Sequence, residues 1–377
     1  MDPPVLVDGP VLLRAPTTDD MDAIVQLRRD ETVVAWTLTP PSYGRGDADR
    51  WLERSSEHWE QGTACSFVLE VEGLVAGQVG LDLDGDGAAD IGYVLAERVR
   101  GRGVMSHALR LALSWAFHVL ALDVVHWRCF VGNWPSRRVA WACGFALEGQ
   151  VRDLVAQRGV RRAAWVGSLC RGEPLAPRSR WLDVPELRSR ALTLRANRPD
   201  DAARIVEACS DPWTQQWLPD LPSPYTADDA QWYLESRPEQ MASGRGVYWA
   251  VADPGDDVLL AQVGLMGLDE SARSGEIGYW THPDARGRGV MARAVSLVAR
   301  HAMLPEEDGG LGLARTYLRV AAGNRASLRV AEKARFTDCG VDRRAARLRD
   351  GSVQDYRRLD LLADEMEQAW AHPSALR

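Results

Sequence analysis

The chain has 377 residues, of which 46% are hydrophobic and 26% charged, with a formal net charge of −8. That length exceeds what one compact core usually supports, so two globular domains of ordinary size are expected. The negative charge argues against a nucleic-acid-binding surface, and no apolar run is long enough to span a bilayer.

The N-terminal stretch MDPPVLVDGP lacks a secretory pattern, so a cytoplasmic location without membrane contact is expected. Val11 to Ala15 alternates as a strand, and Thr17 or Thr18 caps a helix whose apolar stripe is Met21, Ile24, Val25 and Leu27. Ser66 to Val71, Leu74 to Leu83 and Ala89 to Leu95 read as successive strands. Between the last two, Asp82 to Gly87 imitates the start of a calcium loop. Its twelfth position is Tyr93 where a glutamate is needed, so an acidic hairpin turn is the better reading. A helix begins within Gly103 to Met105 and carries Val104, Ala108, Leu111 and Trp115 on one side. Val124 to Val131 is another strand, Pro135 suits a helical first turn, and two strands close the pattern near Leu169.

The pattern then repeats. VLLRAPTTDDMDAIVQL aligns with LTLRANRPDDAARIVEA, DIGYVLAERVRGRGVMSHAL with EIGYWTHPDARGRGVMARAV, and VGNWPSRRVAWACGF with AGNRASLRVAEKARF. These matches set Arg14 opposite Arg195, Gly103 opposite Gly289 and Asn133 opposite Asn324. Two copies of one fold explain them, because two are too few for a solenoid. The expected division is a domain over residues 8–171, a linker over 172–189, a second domain over 190–363 and a C-terminal helix or tail over 364–377. One helical turn is expected around Trp181 to Leu187 in the Pro- and Arg-rich linker. Mixed strands with helices packed on the sheet indicate an α/β (α+β) layer fold. The six cysteines form no CxxC pair, so neither a disulfide framework nor a metal site is indicated.

The chemistry concentrates in the hexapeptide RGRGVM, which occupies residues 100–105 and again 286–291. A helix start offers amides without internal partners and a partial positive charge, so anions collect there. Gly101 and Gly103, like Gly287 and Gly289, permit backbone conformations closed to other residues and let a phosphate approach the main chain. Arg100, Arg102, Arg286 and Arg288 are candidate charge-assisted donors. The turn has the chemistry of a diphosphate seat, yet it is neither a P-loop nor a dinucleotide fingerprint.

A strand, then R/Q-x-x-G-x-G/A, then a helix resembles the acyl-CoA-binding motif of the GNAT N-acyltransferase superfamily. Ile-Gly-Tyr upstream, Asn-x-x-Ser downstream and a closing Leu-Arg-Asp resemble its RimJ/RimL branch. The resemblance covers nearly the whole chain and implies two tandem domains, each a mixed, mostly antiparallel sheet of about seven strands flanked by helices. It implies that Arg100, Gly103 and Met105, and Arg286, Gly289 and Met291, occupy the motif places, with Val104 and Val290 inside them. Both methionines stand where glycine or alanine is usual, so packing against the pantetheine arm is expected to differ. It further implies that the backbone of Val94-Leu95 and of Trp280-Thr281 bonds the pantetheine amides and that Asn133 and Asn324 face the co-substrate.

Amide formation requires an acceptor amine that has lost a proton and a departing thiolate that gains one. In the resemblance, Glu276 is the candidate base, with Asp90 its shorter counterpart, and Ser327 and Ser136 are the donors to sulfur. A solvated charge and a helix-start hydrogen bonder are the competing readings of these residues.

The leading expectation is an N-acyltransferase moving acetyl, or a longer acyl group, from acetyl-CoA, another acyl-CoA or an acyl carrier protein thioester to an amine, foremost a peptide or protein α-amine. A small-molecule (antibiotic or amino acid) acetyltransferase and a non-catalytic acyl-CoA-binding protein are the alternatives. The second copy is favoured as the catalytic one, and the sequence fixes no oligomeric state.

Overall fold

In the computed structural model, which describes residues 2–370, the chain divides into two units at Arg178/Ser179. The first contains β1 (Leu6–Asp8), β2 (Val11–Arg14), α1 (Met21–Arg29), α2 (Glu31–Trp36), α3 (Arg45–Gln61), β3 (Ala64–Val71), β4 (Leu74–Leu83), β5 (Ala88–Leu95), α4 (Val104–His118), β6 (Val124–Phe130), α5 (Trp134–Ala142), β7 (Ala146–Gln157) and β8 (Val160–Cys170). Its eight strands lie in the order β1-β2-β3-β4-β5-β6-β8-β7, antiparallel throughout except for the parallel pair β5–β6.

Both faces of this sheet are covered. Along β3, Phe67 and Leu69 pack toward α4, whose Leu109, Ala112, Leu113 and Ala116 recur at helical spacing. Trp59, Phe67 and Trp115 meet there edge to face or tilted, with centroids 5.3 to 6.0 Å apart. Val68, one residue out of phase, packs on the other face with Met21 and Ile24 of α1 and Ala48 of α3.

The second unit contains β9 (Leu187–Arg188), β10 (Thr193–Arg195), α6 (Ala202–Ser210), α7 (Pro212–Trp217), α8 (Ala227–Ala242), β11 (Gly246–Ala252), β12 (Leu259–Asp269), β13 (Ser274–Thr281), α9 (Val290–Met303), β14 (Arg315–Ala321), α10 (Arg325–Lys333), β15 (Thr337–Arg347), β16 (Val353–Leu362) and α11 (Ala363–Trp370). Its strands take the equivalent order β9-β10-β11-β12-β13-β14-β16-β15, with β13–β14 as the one parallel pair. Residues 371–377 of the expected tail lie outside the described residues.

The repeated arginine near each start has a structural cause. Arg14 grips Asp20 with two bonds of 2.7 and 2.8 Å, and Asp20 also accepts from the Thr17 amide and hydroxyl. Arg195 grips Asp201 in the same way at 2.9 Å, with both side chains only 5–6% exposed. Each pair clamps strand to helix start, which is why the two segments align.

Among the described residues each sheet has eight strands, the short edge strands β1 and β9 included, in line with the expected number of about seven. One expectation is corrected. No helical turn forms around Trp181 to Leu187. Leu182 is buried, the Pro185 carbonyl accepts from Trp249 Nε1 at 2.9 Å, and Leu187–Arg188 pairs with β10 as strand β9. Burial of Leu182 and the indole bond hold this stretch extended against the sheet edge. The acidic turn is as expected: Asp84 Oδ1 accepts from the amides of Asp86 and Ala88 at 2.8 and 3.0 Å. Among the described residues, no helix is long and apolar enough to cross a membrane.

Candidate functional site

In each unit the one parallel strand pair comes apart partway along. β5 pairs with β6 from Ala88↔Val124 only to Ile91↔Trp127, while its other edge stays paired with β4 as far as Leu95↔Gly77. β13 pairs with β14 only to Glu276↔Tyr317, yet follows β12 as far as Thr281↔Ala261. Beyond those points β6 and β14 stay with β8 and β16. Gly92 to Leu95 and Ile277 to Thr281 therefore present an outer edge with no strand beside it among the described residues. Such an edge can pair with an extended amide-bearing chain.

A short 3₁₀ turn then leads into the repeated hexapeptide. Gly101 and Gly103 have φ of 74° and 72°, and Gly287 and Gly289 have 77° and 74°. These left-handed values need glycine, and they bring the chain into α4 and α9 with the leading amides outward. Among the described residues, none of the amides from Gly101 to Ser106 or from Gly287 to Ala292 donates to a protein acceptor. The next donors are His107 to Gly103 O and Arg293 to Gly289 O. Gly101 to Gly103 and Gly287 to Arg288 are exposed. Two open helix starts with free amides suit an anionic group of diphosphate size.

The arginines divide in role. Arg100 is held by Asp30 at 2.8 Å and donates Nε to Leu95 O, while Arg286 donates to Thr214 Oγ1 at 2.8 Å and to Asp211 at 2.5 Å. Asp30 and Asp211 cap α2 and α7. Burial raises both carboxyls, but the guanidinium bonds outweigh it and hold them below the usual range. Arg100 and Arg286, expected as phosphate donors, are thus committed to bracing the turn against the neighbouring helix. Arg102 and Arg288 are the exposed pair with no acidic partner among the described residues. The sequence carried a signal for this bracing: Asp30 and Asp211 fall at equivalent places in the self-alignment.

Met105 and Met291 are each 3% exposed and packed in the cores. The departure from glycine or alanine is a core-filling choice, so the expected change in packing at the turn does not arise from these side chains. Val104 and Val290 likewise face the core, leaving only their amides at the turn.

Asn133 and Asn324 serve as helix caps, with Oδ1 accepting from the amides of Ser136 (3.2 Å) and Ser327 (3.1 Å). Ser136 Oγ lies 3.0 Å from the Tyr93 hydroxyl and accepts from Trp127 Nε1 at 3.3 Å, and Ser327 Oγ lies 2.7 Å from the Tyr279 hydroxyl. Sequence reasoning quoted Ile-Gly-Tyr twice but did not assign its tyrosine; the repetition was the available signal. Burial pushes the Tyr279 phenol up to about 12 and Tyr93 higher still, so both keep their protons at neutral pH.

Glu276 and Asp90 sit where the strands begin to part. Glu276 receives Arg319 through both oxygens at 2.9 to 3.2 Å, and Asp90 receives the equivalent Arg128 at 3.3 Å. Along β13, Glu276 alternates with Ile277 and Tyr279, which pack toward α9, so it lies on the opposite face from the Tyr279–Ser327 pair. Val94 and Trp280 also point to that face, packing with Leu27 and Val33, and with Ile205 and Tyr225.

A family model described as acetyltransferase (GNAT) domain matches residues 11–146 and again residues 191–337. The chain is similar to the putative ribosomal N-acetyltransferase YdaF of Bacillus subtilis, with 34% identity over 132 residues, 33% of this chain and 72% of that protein. It is also similar to the L-amino acid N-acetyltransferase AaaT of Escherichia coli, with 26% identity over 40% of this chain and 91% of that protein. Among solved structures, Mycobacterium smegmatis RimJ in complex with CoA-disulfide is 22% identical with a TM-score of 0.41, over 45% of this chain and 86% of that one.

Proposed function

The chain belongs to the GNAT acetyltransferase family, whose domain it carries twice, and from that premise we propose that it acetylates the α-amine of a peptide or protein. Acetyl-CoA is the acyl donor of this family. The reading is carried by one observation: an open strand edge leads directly into a helix start whose amides have no partner among the described residues. The amides of Gly287 to Ala292 would receive the diphosphate, with Arg288 beside them, and the edge of Trp280-Thr281 would receive the pantetheine amides. Gly101 to Ser106, Arg102 and Val94-Leu95 are the equivalent set. When bound, the donor supplies a thioester carbonyl open to amine attack.

The chain's own task is to move two protons. In our reading Tyr279 donates to Ser327 Oγ, which leaves the serine proton free for the departing sulfur; in the first unit the Tyr93 hydroxyl donates to the Ser136 carbonyl at 2.8 Å, and Ser136 Oγ accepts from Trp127 Nε1 instead. Glu276, on the opposite face, takes the amine proton. Both its oxygens are held by Arg319, so the transfer runs through water. A weak base suffices for a peptide α-amine, which titrates near ~8, and less readily for lysine near ~10.4. The longer, less exposed carboxylate supports the second unit as the main catalytic one. The side chains of Glu276 and Asp90 are 19% and 42% exposed.

The test is acetyl transfer from acetyl-CoA to peptides with free or blocked α-amines, with lysine present in both sets. Transfer that follows the free α-amine supports the proposal, and transfer only to lysine or to non-peptide amines refutes it.

A further inference from the structure

On the α1 side of the first unit's sheet, a guanidinium and a buried amide meet with only neutral partners. Arg28, near the end of α1, donates Nε to Gln78 Oε1 at 2.7 Å and Nη1 to Thr39 Oγ1 at 3.2 Å, both neutral acceptors. Among the described residues no carboxylate pairs with it. Burial holds its guanidinium below the ordinary value, with only the Tyr43 phenol acting in the other direction. Gln78 is 4% exposed, and its Nε2 is buried without any acceptor. Two side chains in direct contact therefore each keep donors with no acceptor. Protein interiors rarely leave a charge unpaired and an amide unbonded side by side, because each omission costs free energy.

The location gives the surplus a meaning. Gln78 lies directly across the β4–β5 ladder from Val94, inside the stretch of β5 that has left β6. Arg28 and Gln78 belong to the face away from α4, the face on which Asp90 also lies. In the second unit Cys209 takes the place of Arg28 and Gln262 that of Gln78. There Gln262 Nε2 donates to Asn197 Oδ1, and the Tyr233 hydroxyl donates to Gln262 Oε1 at 3.5 Å. There both ends of the Gln262 amide are bonded, and the nearby cation Arg237 is stacked on Tyr233 and Tyr248 with its donors on Tyr233 O and Ser236 Oγ, so the unbonded buried amide beside a guanidinium is what sets the first unit apart.

We infer that the first unit seats its acceptor by a carboxylate placed against Arg28 and Gln78, so that this unit takes acidic amines. A guanidinium fork beside an amide N–H matches the two oxygens of a carboxylate. The inference deepens the acyl-transfer reading of this unit and rests on it for the word acceptor, whereas the anion site itself is testable without turnover.

Calorimetry on the full chain with two matched pairs of product-like probes provides the test. N-acetylalanine against N-acetylalanine amide reports an α-carboxylate. N-acetylaspartic acid α-amide against its asparagine equivalent reports a side-chain carboxylate. In at least one pair the acid is expected to bind ten-fold or more tightly than its neutral partner, with Arg28→Met erasing the difference and Arg28→Lys retaining part of it. Which pair responds identifies the kind of acid. Equal affinities in both pairs, no measurable binding of any probe, or a preference that survives Arg28→Met in a protein of unchanged melting temperature would overturn the inference. Acid binding without acetyl transfer would instead count against the enzymatic reading and leave this site standing.

Discussion

Gly289 separates the two physical ingredients of the turn, its backbone conformation and its charge preference. With φ at 74°, any side chain there pays the left-handed penalty of about 1–2 kcal/mol. A β-carbon would meet nothing closer than Arg293 Nη1 at 3.5 Å, an ordinary contact, so Gly289→Ala carries conformational cost with no clash. A domain of this size should lose roughly 2–4 °C of melting temperature per kcal/mol. Gly289→Asp keeps that cost and adds a carboxylate beside the proposed diphosphate. One charge facing two at about 6 Å amounts to roughly 1.4 kcal/mol at the dielectric constant of water and more as solvent is excluded. Calorimetric titration with CoA should therefore show Gly289→Asp binding about tenfold or more weakly than Gly289→Ala, with the gap narrowing at high salt. The same pair at Gly103 reports on the first unit, and the loss of one binding equivalent shows which turn is occupied. Equal CoA affinity for the Ala and Asp variants at both positions would refute the reasoning.

Ser327→Ala should lower turnover by about 10²–10⁴-fold while leaving CoA affinity within a few-fold, and Tyr279→Phe should cost less because the serine keeps its proton. Unchanged kcat for Ser327→Ala would remove the donor role. Arg195→Met strands Asp201 in a site only 4% exposed and should destabilise the second unit by about 3–5 kcal/mol in urea denaturation. Arg14→Met, whose arginine is 25% exposed, should cost less; the opposite order would contradict this account of the clamps. His301 is buried against Trp249, with Nε2 unpaired, and burial lowers its pKa from 6.5. Below that value the unfolded chain binds the proton and the folded one resists it, so stability should fall as pH drops from 6.5. His301→Phe should flatten the melting temperature between pH 7 and 5, and an unaltered slope would disprove the assignment.

Much of the scaffold was legible because its signals are local. Strands β3 to β5 and helix α4 alternate or repeat strongly enough to be bounded within about two residues. The glycines of the turn spoke for themselves, since few reasons other than a left-handed φ place two so close to a helix start. Edge strands β1 and β9 were not legible, because two or three residues carry no periodicity. The extended path of Leu182 to Leu187 depends on burial against a strand far away in sequence, which composition does not reveal.

The site was legible in its backbone and less so in its side chains. Sequence sets Asp30 opposite Asp211 in the repeat, but only the fold shows that these acids hold Arg100 and Arg286. It shows methionine where small residues are usual, but not that the methionines point into the core. The Tyr279–Ser327 pair bridges a strand and a helix, and only the fold brings those together. Arg28 had no sequence signal at all, because what distinguishes it is a missing partner.

A crystal structure of the full chain with CoA tests the central claim most directly. Diphosphate oxygens within hydrogen-bonding distance of the amides of Gly287 to Ala292, or of Gly101 to Ser106, with the pantetheine arm along the free edge of β13 or β5, is the expected result. CoA bound away from both turns, with those amides still facing solvent, would contradict it.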